Sequence, residues 1–305
     1  MELWPCLRLK SGGKPAALPN FLWCLYLLMR RRPHPGRARG EGAKALESER
    51  NVGLARAISK LGFCSRTQAA ALVAAGRVRL NGAVRKNPET PVQLNRDTIE
   101  VDGQAIRAAQ KLYWMLNKPR GVVTTAADEK GRQTVYEYLR ADSAWLAPLG
   151  RLDKASEGLL LFTNDSEWAA RILEPQTHLE KTYHVQIAAV ADERLLERMR
   201  GGVWEGGDFL RVIRASILRQ GERNSWLEIV LDEGKNRQIR RLLEALGVET
   251  MRLMRVAIGP LQLGDLAKGA SRELTGAEKR AIDQALDQRL KSVASATRAK
   301  EQRRK

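Results

Sequence analysis

The chain has 305 residues, 43% of them hydrophobic, with 53 Lys and Arg against 35 Asp and Glu, a formal net charge of +18. That length suggests two domains plus tails, and the cation excess points to a polyanionic partner, because phosphates recruit Lys and Arg and release counterions. A nucleic acid and an anionic membrane surface both satisfy it, the first being favoured. Cys6, Cys24 and Cys64 form no CxxC pair, and His34, His178 and His184 have no ligand spacing, which argues against a disulfide framework, a zinc site and metal catalysis.

Leu18 to Met29 (LPNFLWCLYLLM) is an apolar run followed by Arg30, Arg31 and Arg32. It falls short of the roughly 20 residues of a membrane span, and its charge lies on the wrong side for a signal peptide. We read residues 1–51 as a basic, disordered extension, with Met29 as an alternative start; no membrane association is expected. From Arg30 to Glu49 the chain is rich in Arg, Gly and Pro without apolar periodicity, as a linker is.

Order is expected to begin near Val52. Leu54, Ala57, Ile58 and Leu61 share a helical face that Gly62 closes. Ser65 and Gln68 spell a capping box for a helix from Arg66 to about Ala75, ended by Gly76. Val78 and Leu80, an Asn81-Gly82 turn and Val84 spell a hairpin, and Thr98 to Val101 a further strand. Taken singly, Arg66, Arg77 and Arg79 are ordinary solvated charges. The whole segment SKLGFCSRTQAAALVAAGRVRLNG resembles the alpha-L RNA-binding module of the ribosomal-protein S-four type. The resemblance covers residues 52 to 106 and implies recognition of structured RNA by shape and phosphate contacts.

A second domain is expected over residues 111–275. Leu112 to Leu116, Val122 to Thr125, Leu159 to Thr163, Tyr183 to Val190 and Trp226 to Leu231 read as extended. Helices are expected after Asp165 or Ser166 through Leu173, over Asp192 to Arg200, and from Gln238 to Leu246 before Gly247. This irregular alternation implies an α+β fold around a central sheet. Residues 276–305 are expected as a helix from Ala277 to about Val293 and a basic tail.

Three segments carry chemistry. In Gly150-Arg151-Leu152-Asp153, followed by SEGLLLFTND, one carboxylate sits on a loop between apolar stretches; by itself this is a surface turn with a local ion pair. Tyr183 in EKTY opens a strand, ordinarily a packing position. In EGKNRQIRR, arginines crowd a helix N-terminus, where the dipole disfavours cations unless an anion or carboxylate lies nearby.

Together and in this order, LNKPRG, GRLD with GLLLFTND, EKTY, GKNRQIRR, RVAIGPLQLG and SRELT resemble the pseudouridine synthases. The similarity is to the branch acting on bacterial ribosomal RNA, which pairs an alpha-L domain with a catalytic domain built on a mixed, mainly antiparallel sheet. The resemblance implies an essential aspartate at Asp153, a base-stacking aromatic at Tyr183 and a basic partner of the aspartate at Arg240. It also implies that Arg151 helps to hold the RNA open around a flipped nucleotide. Arg66, Arg77, Arg79, Lys118, Arg237 and Arg241 are expected RNA contacts. Isomerisation of uridine exchanges no electrons or groups, so no cofactor is expected. The implied partner is ribosomal RNA or a pre-ribosomal particle, acted on by a cytoplasmic monomer. The stretch from LEKTYHVQI to GKNRQIRRLLEALG favours large-subunit over small-subunit RNA. The alternatives are a non-catalytic RNA-binding or ribosome-assembly protein, which would have no use for Asp153 with Tyr183 and Arg240, and a metal-dependent nuclease, which would require clustered carboxylates or histidines.

Overall fold

The computed structural model describes residues 51–126, 128–139, 145–174 and 179–302, so the expectations for residues 1–50, including Cys6, Cys24 and His34, and for His178 lie outside the described residues. The first elements are β1 (Val52–Gly53), α1 (Leu54–Lys60) and α2 (Arg66–Ala74). The capping box at Ser65 forms in both directions, with Gln68 N bonding Ser65 Oγ at 3.1 Å and Ser65 N bonding Gln68 Oε1 at 3.0 Å. Two orphan amide donors are thereby satisfied locally. Next come β2 (Val78–Leu80), β3 (Ala83–Arg85), β4 (Pro91–Val92), β5 (Ile99–Val101) and β6 (Gln104–Ala105), with sheet order β3-β2-β5-β6 and a separate β1–β4 pair. Asn81 and Gly82 both have positive φ, 53° and 77°, as a two-residue hairpin turn requires. Leu54, Ile58, Val73, Val78 and Val101 close a small core of their own.

The linker after β6 is tied to both sides. Ala109 N bonds Leu61 O at 2.9 Å, Asn164 Nδ2 bonds Gln110 O at 2.8 Å, and Leu112 N bonds Asn164 Oδ1 at 2.8 Å. Lys60 adds an ion pair to Glu167 at 3.0 Å. The TND triplet after the long apolar run thus docks the first domain's linker.

The second domain contains β7 (Tyr113–Lys118), β8 (Ala147–Pro148), β9 (Glu157–Thr163), α3 (Ser166–Leu173), β10 (Lys181–Ile187), α4 (Glu193–Gly201), β11 (Val203–Glu205) and β12 (Asp208–Leu210). It continues with β13 (Arg214–Gln220), β14 (Ser225–Leu231), α5 (Gln238–Ala245), β15 (Thr250–Ile258), β16 (Leu261–Gln262), β17 (Ser271–Glu273) and α6 (Gly276–Gln302). Its sheet runs β13-β14-β10-β15-β9-β7-β17; β9 and β15 pair in parallel and the other neighbours are antiparallel, an α+β architecture. Strand β9 is buried along its whole length, whereas β10 alternates from Tyr183 onward. One face carries Tyr183, Val185 and Ile187 against α4 and α5. The other packs Met115, Leu159 and Leu161 against Trp168 of α3 and Ile282 and Leu286 of α6. Fully buried Phe162 at the centre would cost about 3–5 kcal/mol to truncate to Ala.

Two local expectations change. Val122 to Thr125 forms no strand, contributing one bridge between Val123 and Thr134, because its polar groups bind the loop opposite. The C-terminal helix extends to Gln302, and its start is anchored by Trp168 Nε1 on Asp283 at 2.9 Å and by the Arg171–Asp287 pair at 2.6 Å.

Candidate active site

Asp153 lies on the loop between β8 and β9, and its side chain is 37% exposed. The loop is moulded from beneath. Lys118, at the end of β7, is completely buried, and its Nζ donates to the carbonyl oxygens of Ser156 (2.8 Å), Asp153 (3.1 Å) and Pro119 (3.2 Å). Ser156 N also donates to Asp153 O at 3.0 Å. On the other side, Gly121 N bonds Lys154 O at 2.7 Å and Thr124 Oγ1 bonds Leu152 O at 2.8 Å. Burial pushes the Lys118 ammonium down to about 8, against the pull of Asp153 and Glu157. Lys118, expected at the RNA, is therefore a positioning residue. The sequence gives no sign of this, since a lysine between Asn and Pro looks like loop surface.

Strand β9 approaches β15 closely at Gly158, which pairs with Arg255 at φ +102°. A Cβ there would be driven into the backbone of Arg255, so only glycine permits the parallel pairing that fixes the start of β9. Glu157 beside it is buried and held by Arg252 at 2.9 Å and Lys268 at 2.5 Å. Burial raises its carboxyl's pKa, and the two cations more than offset that.

Tyr183 sits in β10, 8% exposed, in the same buried cluster as Leu152 and Ile239. The residues following these two, Asp153 and Arg240, are thus brought to the edge of one apolar core that includes the tyrosine. The arginines arrive from α5 and its N-terminus. Arg237 caps that helix in the left-handed region, at φ 50° and ψ 31°, a conformation that costs a non-glycine residue about 1–2 kcal/mol. Such strain concentrates at functional sites. Its Nη1 lies 4.0 Å from Asp153 Oδ2.

Arg240 was expected to pair with the aspartate. Instead its Nη2 bonds Ala155 O at 3.1 Å and its Nη1 bonds Thr250 O at 3.3 Å, while buried Nε has no partner. Its guanidinium bridges the Asp153 loop to β15, because the carbonyls at that loop's end reach it first. Burial, then repulsion from Arg237, lowers its pKa and Asp153 opposes that, so the two side chains still sense each other. Arg237, expected only as an RNA contact, makes the direct ion pair.

Arg241, also expected at the RNA, is committed elsewhere: it pairs with Glu205, with Asp208 at 2.8 Å, and with the carbonyl of Glu205 at 2.7 Å. Arg151 is exposed on the loop. In the first domain Arg66 and Arg79 are exposed, whereas Arg77 forms a two-pronged pair with Asp102 at 2.7 and 2.5 Å. No three His, Cys, Asp or Glu side chains among the described residues converge as metal ligands, and no helix among them is long and apolar enough to cross a membrane.

A carboxylate on a braced loop and two arginines from the start of α5 converge from segments far apart in the chain, over an apolar cluster that includes Tyr183. The RNA pseudouridylate synthase family matches residues 112–245, and the S4 domain family matches residues 52–97. An uncharacterized RNA pseudouridine synthase of Aquifex aeolicus (strain VF5) is 37% identical over 222 residues, 72% of this chain and 89% of that protein. The chain belongs to the RNA pseudouridine synthases. Ribosomal large subunit pseudouridine synthase B of Bacillus subtilis (strain 168) is 34% identical to this synthase over 224 residues, 73% of this chain and 91% of that one. A crystal structure of a pseudouridylate synthase superposes with a TM-score of 0.54 at 28% identity, covering 76% of this synthase and 99% of that chain. The synthase therefore joins an S4 RNA-binding domain to an isomerase domain.

Proposed function

We propose that this synthase converts a specific uridine of large-subunit ribosomal RNA to pseudouridine, with Asp153 as the reacting carboxylate. The observation that carries the reading is the Asp153 loop, whose backbone is braced by Lys118 and Arg240 while its carboxylate faces Arg237. Holding a reacting group in place by its supporting shell is what converts proximity into rate. Large-subunit RNA is supported by the likeness to the Bacillus subtilis protein named ribosomal large subunit pseudouridine synthase B.

In the reaction the bond from C1′ to N1 breaks and a bond from C1′ to C5 forms; C5 loses a proton and N1 gains one. Composition is unchanged. Asp153 either attacks C1′ or removes a ribose proton, and both routes need it ionised. Arg237, 4.0 Å away, is the cation that faces it. The target base must leave its stack at a cost of a few kcal/mol. Stacking on Tyr183 would return roughly 1–3 kcal/mol, and Arg151 would hold the opened strand.

The test is incubation of the purified synthase with large-subunit and small-subunit rRNA transcripts, with and without chelator, followed by carbodiimide-based mapping. One new pseudouridine in the large-subunit transcript is expected, chelator or not, and none with Asp153→Asn. Modification confined to the small-subunit transcript would overturn the substrate, and modification by the Asn variant would overturn the role of Asp153.

A further inference from the structure

Among the described residues, Trp204 on the hairpin β11–β12 is the most exposed of the large hydrophobic side chains, at 75%. Its only ring neighbour there is Phe209, with centroids 5.4 Å apart and planes tilted by 51°. An indole left this open on a loose loop would mean little, but this hairpin is fixed. Arg241 clasps Glu205, Asp208 and the Glu205 carbonyl. Lys235 Nζ bonds Phe209 O at 2.7 Å, and Gln238 Nε2 bonds Arg211 O at 3.0 Å.

All three anchors come from residues 235–241, the stretch that carries Arg237 and Arg240. The ring is thereby held in register with the helix that faces Asp153. The hairpin's carboxylates are neutralised internally: Glu205 and Asp208 by Arg241, and nearby Glu233 by Lys235 at 3.3 Å. Arg211 at the hairpin's end is exposed, as is Arg237. A fixed aromatic surface on a hairpin that ends in the exposed Arg211 guanidinium suits a base with its flanking phosphate, since every base offers a π-face.

We infer that Trp204 is a stacking platform for an unpaired base of the substrate RNA, outside the pocket for the reacting uridine, with Arg211 at the adjoining phosphate. The inference rests on the reading that the substrate is ribosomal RNA. Its test uses the full chain and an in vitro large-subunit rRNA transcript, comparing Trp204→Ala, Trp204→Leu and Trp204→Phe by filter binding and by initial rates of pseudouridine formation.

Affinity should fall about tenfold in the Ala and Leu variants, at the low end of what base stacking supplies. KM should rise by the same factor, with kcat within about twofold. The Phe variant should recover most of the loss. The slope of log affinity against log salt should be unchanged by these three, whereas Arg211→Ala should lower it by about 0.7. Wild-type affinity in the Leu variant, or equal losses in Phe and Leu, would overturn the proposal and leave the ring as a protein contact or as packing for Phe209. The reading beneath it fails separately: a wild-type protein that binds but forms no pseudouridine refutes the substrate, while the binding series still decides Trp204.

Discussion

The S4 domain and the catalytic cleft are both basic, yet they deploy their cations in opposite ways. Arg66 and Arg79 stand at the surface of the first domain, Arg66 touching Glu89 only at 3.5 Å. In the cleft, Lys118 and Arg255 are buried and Arg240 half-buried, each bonded to loop or strand carbonyls. An exposed guanidinium keeps its donors for phosphate. A buried one has given its donors to the backbone and acts as a mould for the loop that presents the carboxylate. On the proposed function, substitutions in the two regions should separate affinity for RNA from the ability to transform it.

The largest effect is expected at the carboxylate. Asp153→Asn should lower single-turnover modification by about 10³-fold or more, leaving rRNA affinity nearly unchanged; parallel filter binding and rate measurements check both. Next, Gly158→Ala should destabilise the fold by about 3 kcal/mol, because added volume meets backbone rather than a yielding side chain. Urea denaturation measures this, and a loss under 1 kcal/mol would show that β9 and β15 can move apart.

Lys118→Met should cut kcat by about 10²-fold through misplacement of the Asp153 loop, with affinity retained. It also carries a pH signature. The folded-state pKa of Lys118 is about 8 against an ordinary 10.5. Between those values the unfolded chain binds a proton that the folded chain does not. The stability contribution of this group therefore rises from pH 8 towards 10.5, and its penalty is complete below 8. The stability gap between wild type and Lys118→Met should accordingly shift in favour of wild type as pH increases through that window, as denaturation at pH 7, 8, 9 and 10 would reveal. The smallest effect belongs to the surface: Arg79→Ala should weaken binding modestly and reduce the salt slope by about 0.7–0.9, with kcat unaltered.

Legibility followed the range of the interactions. The helices of the S4 domain end where Ser65, Gln68, Gly62 and Gly76 say they should, because capping and left-handed glycines act within a turn. The Asp192 cap of α4 and the Asp165 cap of α3 are equally local. Strands β13 and β15 and the hairpin β11–β12 escaped notice. In β15 the burial alternates, but Arg252 and Arg255 occupy it, and Arg255 is buried by a bond to Leu159 O at 2.7 Å. No periodicity of apolar residues can register a strand whose inward positions include a guanidinium.

The site was legible in a different sense. Asp153, Tyr183 and Arg240 stood out through the ordered set of motifs, not through the physics of any one segment. Lys118 and Arg241, expected at the RNA, bond loop carbonyls and the carboxylates of Glu205 and Asp208, because a cation's destination is set by what folds over it. Arg237 pairs with Asp153, and Arg240 bonds the Ala155 and Thr250 carbonyls, for the same reason.

Composition and local pattern alone determined a basic chain, a capped helix pair with its hairpin and an α+β second domain. These depend on charge count, capping and short-range periodicity, all written within a few residues of each other. Tertiary structure decided which cations face solvent and which are interred, where β9 meets β15, and which arginine reaches Asp153. Those outcomes rest largely on carbonyls and carboxylates distant in the chain, such as Asp153 and Ser156 for Lys118 and Ala155 for Arg240, and side-chain chemistry carries no record of what will be packed against it.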